Sequence, residues 1–191
     1  MTMKDFVSAY LKDQQQTQSA IPQEKITELI AVFQKAWKED RRIFVVGNGG
    51  SAANASHFAT DLGKSASDSM GKPFRVASLH DNTPWITAIS NDYAYDQIFV
   101  RQLINFAQPG DILFAMSVSG NSPNVVNAAE WGKLNGLYSI CLTGAQRGRL
   151  SDLGDFVVSI ESKHFGRVED AHMGICHMIC YAFVEHPEAF R

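Results

Sequence analysis

The chain is short of the residues that mark special classes of protein. Its 191 residues include three cysteines and six prolines, with no large excess of either charge. The thiols, Cys141, Cys176 and Cys180, are odd in number and stand in apolar surroundings. The opening stretch MTMKDFVSAYLKDQQQ has no apolar core of signal-peptide length. The cysteines therefore read as reduced thiols of a cytoplasmic protein and not as a disulfide framework. Cys176 and Cys180 flank His177 at helical spacing, but their context favours small buried hydrophobes over a metal clip. No run reaches ~18 apolar residues, so no membrane partner is expected. Lys and Arg number 17 against 20 Asp and Glu, and the net charge of -3 argues against direct nucleic-acid binding, which needs clustered cations. An apolar content of 45% excludes disorder, and the low Gly and Pro exclude collagen-like sequence. Neither Gly-x-Gly-x-x-Gly nor Gly-Lys-Ser/Thr occurs, which makes NAD and ATP poor candidates.

What is present fits one domain over 1–191, with an N-terminal helical pair in 1–40 and an αβα core in 41–191. Residues 3–18 suit a first helix with Phe6, Ala9 and Tyr10 on one face. Pro22 suits the first turn of a second, whose Ile26, Leu29, Ile30, Phe33 and Trp37 follow the 3.6-residue period. The break at 19–22 frees the first helix to leave the body, and its apolar face then needs another surface, such as a second subunit. From residue 43 short apolar runs alternate with helical segments. The runs are Ile43–Val46, Phe74–Ala77, Ile112–Met116, Tyr138–Leu142 and Phe156–Ile160; helices are expected near 50–65, 84–106, 122–135 and 167–186. Strands buried on both faces and linked by helices make a parallel sheet covered on both sides. Such sheets bind ligands beyond the carboxyl ends of their strands.

Two of the loops at that edge are unusual. Gly47-Asn48-Gly49-Gly50-Ser51 follows the first strand, and Ser117-Val118-Ser119-Gly120-Asn121-Ser122-Pro123 follows the third. Glycines let successive N–H groups converge, a helix N-terminus adds positive dipole, and Ser117, Ser119 and Ser122 add hydroxyl donors. The combination describes a cradle for a phosphate monoester, although Ser122 could also serve only as a helix cap.

Six motifs occur in order: the Gly47–Ser51 loop, His57-Phe58-Ala59, Asn91-Asp92, the Ser117–Ser122 loop, Leu142-Thr143-Gly144 and His164-Phe165-Gly166. Together they resemble the sugar isomerase (SIS) domain, in its sedoheptulose-7-phosphate isomerase branch, over essentially the whole chain. The resemblance implies a three-layer αβα sandwich with a five-stranded parallel, flavodoxin-like sheet and a homotetramer with shared active sites. It also implies an aldose–ketose isomerisation of sedoheptulose 7-phosphate to a heptose 7-phosphate for surface glycans. Moving a proton between adjacent carbons through an enediol needs a base, an acid and stabilisation of an oxyanion, for which a divalent metal is suited.

His57 and Asp61 lie four apart on one helix, and Glu169 and His177 eight apart on another; two imidazoles and two carboxylates suit zinc. The resemblance maps metal ligands onto these four positions and catalytic roles onto Asp61, Glu169 and His177. Asn48, Gly49, Gly50, Ser51, Asn91, Asp92, Ser117, Val118, Ser119 and Ser122 are the expected phosphosugar contacts. Where the family usually carries Glu and Gln, this chain has Asp61 and Glu169, which leaves open which carboxylate is the base. Lys163, His164 and Arg167 face either the sugar phosphate or solvent, Thr143 and Gly144 are placed at the ligand edge, and Trp37, Trp85 and Trp131 are packing residues. Two other readings stand beside the isomerase. One is a non-catalytic phosphosugar-binding regulator like the replication-initiator-associating protein, whose sequence Ser51-Ala52-Ala53-Asn54 resembles. The other is an isomerase of a different phosphosugar.

Overall fold

A computed structural model describes all residues, 1–191. Five strands form one sheet: β1 (Arg42–Val46), β2 (Arg75–Ser78), β3 (Ile112–Ser117), β4 (Tyr138–Gly144) and β5 (Phe156–Ile160). All pairs are parallel and the order is β2-β1-β3-β4-β5. The central strand β3 is buried at every position, as its unbroken apolar run requires. The helices are α1 (Met3–Ser19), α2 (Gln23–Lys38), α3 (Gly50–Thr60), α4 (Ser67–Met70), α5 (Thr83–Asp92), α6 (Val100–Phe106), α7 (Pro123–Leu134), α8 (Gly148–Leu153) and α9 (Phe165–Glu185). One apolar core lies between the sheet and α2, α3 and α9, built on Phe33, Phe58, Phe114 and Phe183. A second lies on the opposite face under α5, α6 and α7, around Phe44, Phe99, Leu103 and Leu113. This is the expected αβα sandwich.

Strand order reverses direction at β1, with β2 on one side and β3 on the other. The connections leaving β1 and β3 therefore go to opposite faces and open a crevice between them, the general ligand position in such sheets. The two loops singled out by sequence are the ones that flank this crevice.

Three local features differ from expectation. The segment 84–106 is not one helix: α5 stops at Asp92, Ala94 is extended, and a single 3-10 turn over Tyr95–Gln97 precedes α6. Asn91 and Asp92 are weak in helix interiors because their short polar side chains compete for backbone groups, which ends the helix there. The short α8 carries too little periodicity to be read from sequence. Between α3 and α4 the helix widens into a π-helical stretch, Asp61–Ala66, where Ser67 Oγ reaches back five residues to the Leu62 carbonyl at 3.0 Å. π-Turns inside helices are costly and concentrate at functional sites.

Candidate active site

The glycine loop after β1 places Gly49 at φ 56°, a left-handed conformation that favours glycine. Ser51, in the first turn of α3, is buried, and a Cβ at Gly47 would approach its Cβ to 2.7 Å. On the other side of the crevice, Ser117 Oγ lies 3.2 Å from Ser122 Oγ and 3.5 Å from Ser119 Oγ, and accepts the Gly120 N–H at 3.2 Å. Ser122 stands at the N-cap of α7, yet its side chain makes no capping hydrogen bond. Its hydroxyl turns instead to the serine cluster, so capping does not account for it. Val118 is buried and its carbonyl accepts the Gly144 N–H at 3.0 Å, so its side chain serves packing. Asn48 bridges the crevice by hydrogen bonds to Asn124 and Tyr95. Asn91 and Asp92, paired with each other at 2.9 Å, are exposed at the end of α5, and their side chains form no hydrogen bond to either loop.

His57, Asp61 and His177 converge as expected. Asp61 Oδ2 lies 3.3 Å from His57 Nε2 and 3.8 Å from His177 Nε2, and the three donor atoms all fall within 4.8 Å of one another. The imidazole rings meet edge to face at 5.1 Å. Two helices bring them together: α3 supplies His57, the π-turn begins at Asp61, and α9 supplies His177. Two nitrogens and one carboxylate oxygen, part exposed, form a donor set that fits a divalent ion with an open coordination position.

Glu169 does not join them. Its carboxylate packs on the Cα of Gly50 at the start of α3, where any Cβ would collide with it, and its backbone carbonyl accepts Asn54 Nδ2 at 2.9 Å. Burial, then the neighbouring Asp170, pushes its carboxyl up from the ordinary range. The eight-residue step from Glu169 to His177 spans roughly 12 Å of helix, so within the chain this carboxylate sits at the phosphate-loop end and the cluster farther down. The cysteines beside His177 are free, buried and held as thiols by desolvation.

Several polar residues resolve to structural tasks. Arg167 pairs with Asp13 at 2.7 Å and stacks over Tyr10, while His164 caps α9 and meets Tyr10 edge to face. Both contact α1, and Lys163 borders a small cleft beside Val118 and Ser119. The Thr143 hydroxyl is buried and hydrogen-bonds Ser159 at 2.9 Å. Sequence reasoning missed His80, which follows β2 and hydrogen-bonds Ser78 and the Gly47 carbonyl, and His172, fully buried on α9 with Nε2 3.3 Å from the Thr143 carbonyl. His80 stands at a strand's carboxyl end and could have been found by that rule. His172 gives no signal beyond its helix.

Residues 5–144 match the SIS-domain family model. The phosphoheptose isomerase of Mycobacterium tuberculosis is 40% identical over 151 residues, 78% of this chain and 76% of that protein. A probable phosphoheptose isomerase of Thermoplasma acidophilum is 35% identical over 171 residues, 90% of this chain and 93% of its own. The chain belongs to the SIS-domain family, in its phosphoheptose isomerase branch. The fold agrees: the phosphoheptose isomerase GmhA from Neisseria gonorrhoeae superposes with a TM-score of 0.88 at 26% identity, over 96% of this chain and all of that one. The family model ends at β4, so Glu169 and His177 lie beyond it.

Proposed function

We propose that this protein interconverts sedoheptulose 7-phosphate and D-glycero-D-manno-heptose 7-phosphate, supplying heptose for surface glycans from the cytoplasm. The observation that carries the reading is the joint presence, in a member of this family, of the hydroxyl-rich crevice and the His57–Asp61–His177 cluster. The serine loop and the start of α3 hold the phosphate through hydroxyls, backbone N–H groups and helix dipole. A carboxylate, Glu169 or an Asp61 not bound to the ion, takes the proton from the carbon beside the carbonyl; His177, where it is not a ligand, moves a proton to or from the oxygen. A zinc ion held by His57, Asp61 and His177 would supply Lewis-acid stabilisation of the developing oxyanion. A non-catalytic regulator has no use for such a cluster, which favours the enzyme.

The site is further proposed to be shared between subunits of a homotetramer. A cavity of about 950 Å³ runs along the edge strand β2 beside Arg42, Arg75 and Trp85 and leaves the cluster outside. The cluster is an open ledge. Next to His177, Met178 and Tyr181 are 41% and 49% exposed, and α1 buries no residue of its own. A second copy laid on α1 and α9 would cover these apolar groups and supply the carboxylate that Glu169 cannot bring to its own cluster.

Proton NMR of the purified protein with sedoheptulose 7-phosphate in D2O, with and without zinc, tests the activity. Aldose signals that depend on protein and metal, with deuterium at the adjacent carbon, are expected. Deuterium wash-in without conversion would assign a different phosphosugar. The absence of both exchange and conversion with folded, metal-loaded protein would overturn the reading.

A further inference from the structure

Two loops from different strands can share one phosphate only if their separation is fixed. The structure contains a tie that does this. Asn48 Nδ2 donates to Asn124 Oδ1 at 2.8 Å, and Asn124 Nδ2 donates back to Asn48 Oδ1 at 2.9 Å. The amide orientations are determined by their other partners. The Val125 N–H donates to Asn124 Oδ1 at 3.0 Å, so that atom is the oxygen, and the orientation of Asn48 follows. The Tyr95 hydroxyl donates to Asn48 Oδ1 at 3.1 Å in this arrangement. Asn48 thus has both oxygen lone pairs and one N–H engaged by protein, leaving one N–H for a ligand. Asn124 is 1% exposed, so water cannot replace it and a ligand cannot touch it.

We propose that Asn124 is a positioning residue that sets the spacing between the glycine loop after β1 and the serine loop after β3, acting through Asn48. Tyr95 extends the tie to the segment that begins at Asn91 and Asp92. The two loops and the turn at Tyr95 are thereby held in one register. The inference rests on the phosphosugar reading for its ligand, though the tie itself does not.

The test uses the full chain with Asn48→Ala, Asn124→Ala, the double variant and Tyr95→Phe. Inorganic phosphate and sedoheptulose 7-phosphate binding are measured by calorimetry, and amide exchange at Gly49–Ser51 without ligand. Asn124→Ala is expected to weaken phosphate binding about tenfold, with a smaller change in kcat, and to speed exchange in the glycine loop. Because the effect runs through Asn48, the double variant should bind no more weakly than Asn48→Ala alone. Losses that multiply in the double variant, or a folded Asn124→Ala that binds phosphate within twofold of wild type, would overturn the proposal. Should Asn124→Ala not fold, Tyr95→Phe removes only a hydroxyl from an exposed ring. It should weaken binding about threefold, without multiplying the Asn48→Ala effect, and unchanged binding would count against the tie. A wild type that binds neither ligand would sink the phosphosugar reading, while the exchange of Gly49–Ser51 would still decide the tie: faster in Asn124→Ala supports it, unchanged refutes it.

Discussion

His172 shows how much a single buried side chain can hold. With Nε2 bonded to the Thr143 carbonyl, that nitrogen carries the proton, and Nδ1 is a buried acceptor without a protein partner. Desolvation lowers its pKa from 6.5 to about 4. A histidine depressed on folding binds its proton first in the unfolded chain, so its contribution is complete above pH 6.5 and is lost as the pH falls toward 4. The loss amounts to about 3 kcal/mol over that window. Urea unfolding at stepped pH should show this slope, and His172→Gln, which keeps a donor for Thr143 but cannot titrate, should remove it. At the cluster, Asp61→Asn removes the carboxylate that both imidazoles face. Bound zinc, measured by elemental analysis, should fall well below one per chain, and kcat should drop by about 100-fold or more. Full zinc occupancy with normal turnover would remove Asp61 from the site.

At the scale of an element, α7 separates capping from binding. Replacing an N-cap serine by alanine ordinarily costs about 1 kcal/mol. Here the Ser122 hydroxyl makes no cap bond. Ser122→Ala should therefore leave the melting temperature nearly unchanged while raising KM for the phosphosugar several-fold; a marked loss of stability would return the residue to a capping role. Gly120 is different. It has φ 67°, and a Cβ would run into the backbone of Arg147. Gly120→Ala should cost about 2–4 kcal/mol, visible as a lowered denaturant midpoint, because neither backbone can yield. The motifs around these loops were legible because strand ends, glycines and hydroxyls are local signals. The π-turn at Asp61 was not, since a helix widens there in response to what α9 and Ser67 impose.

For the whole molecule, α1 is the informative part. Tyr10 and Asp13 hold it against α9, while Phe6, Val7 and Leu11 remain 47%, 52% and 63% exposed. The sequence suggested that this helix would need a second surface, and in the fold no residue of α1 is buried. Phe6→Glu with Leu11→Glu would place charge in the proposed subunit contact. Light scattering should report smaller species, with far-ultraviolet dichroism unchanged and activity lost with the shared site. Assembly and activity equal to wild type would exclude α1 from the contact.

What the sequence determined by itself was the class of fold and the loops that matter. Continuous apolar runs such as Ile112–Met116, short and bounded by turn residues, read as strands buried on both faces, and glycine and serine clusters at their ends mark the ligand edge. It also placed His57 and Asp61 on one helical face, because four residues make about one turn. Tertiary structure decided the rest. Only the packing of α3 beside α9 brings His177 to Asp61 and takes Glu169 to Gly50, and only the order of strands sets Asn48 opposite Asn124. These are contacts between segments 76 to 119 residues apart, created by burial of two faces of one sheet, and no local periodicity encodes which distant partner a polar side chain will meet.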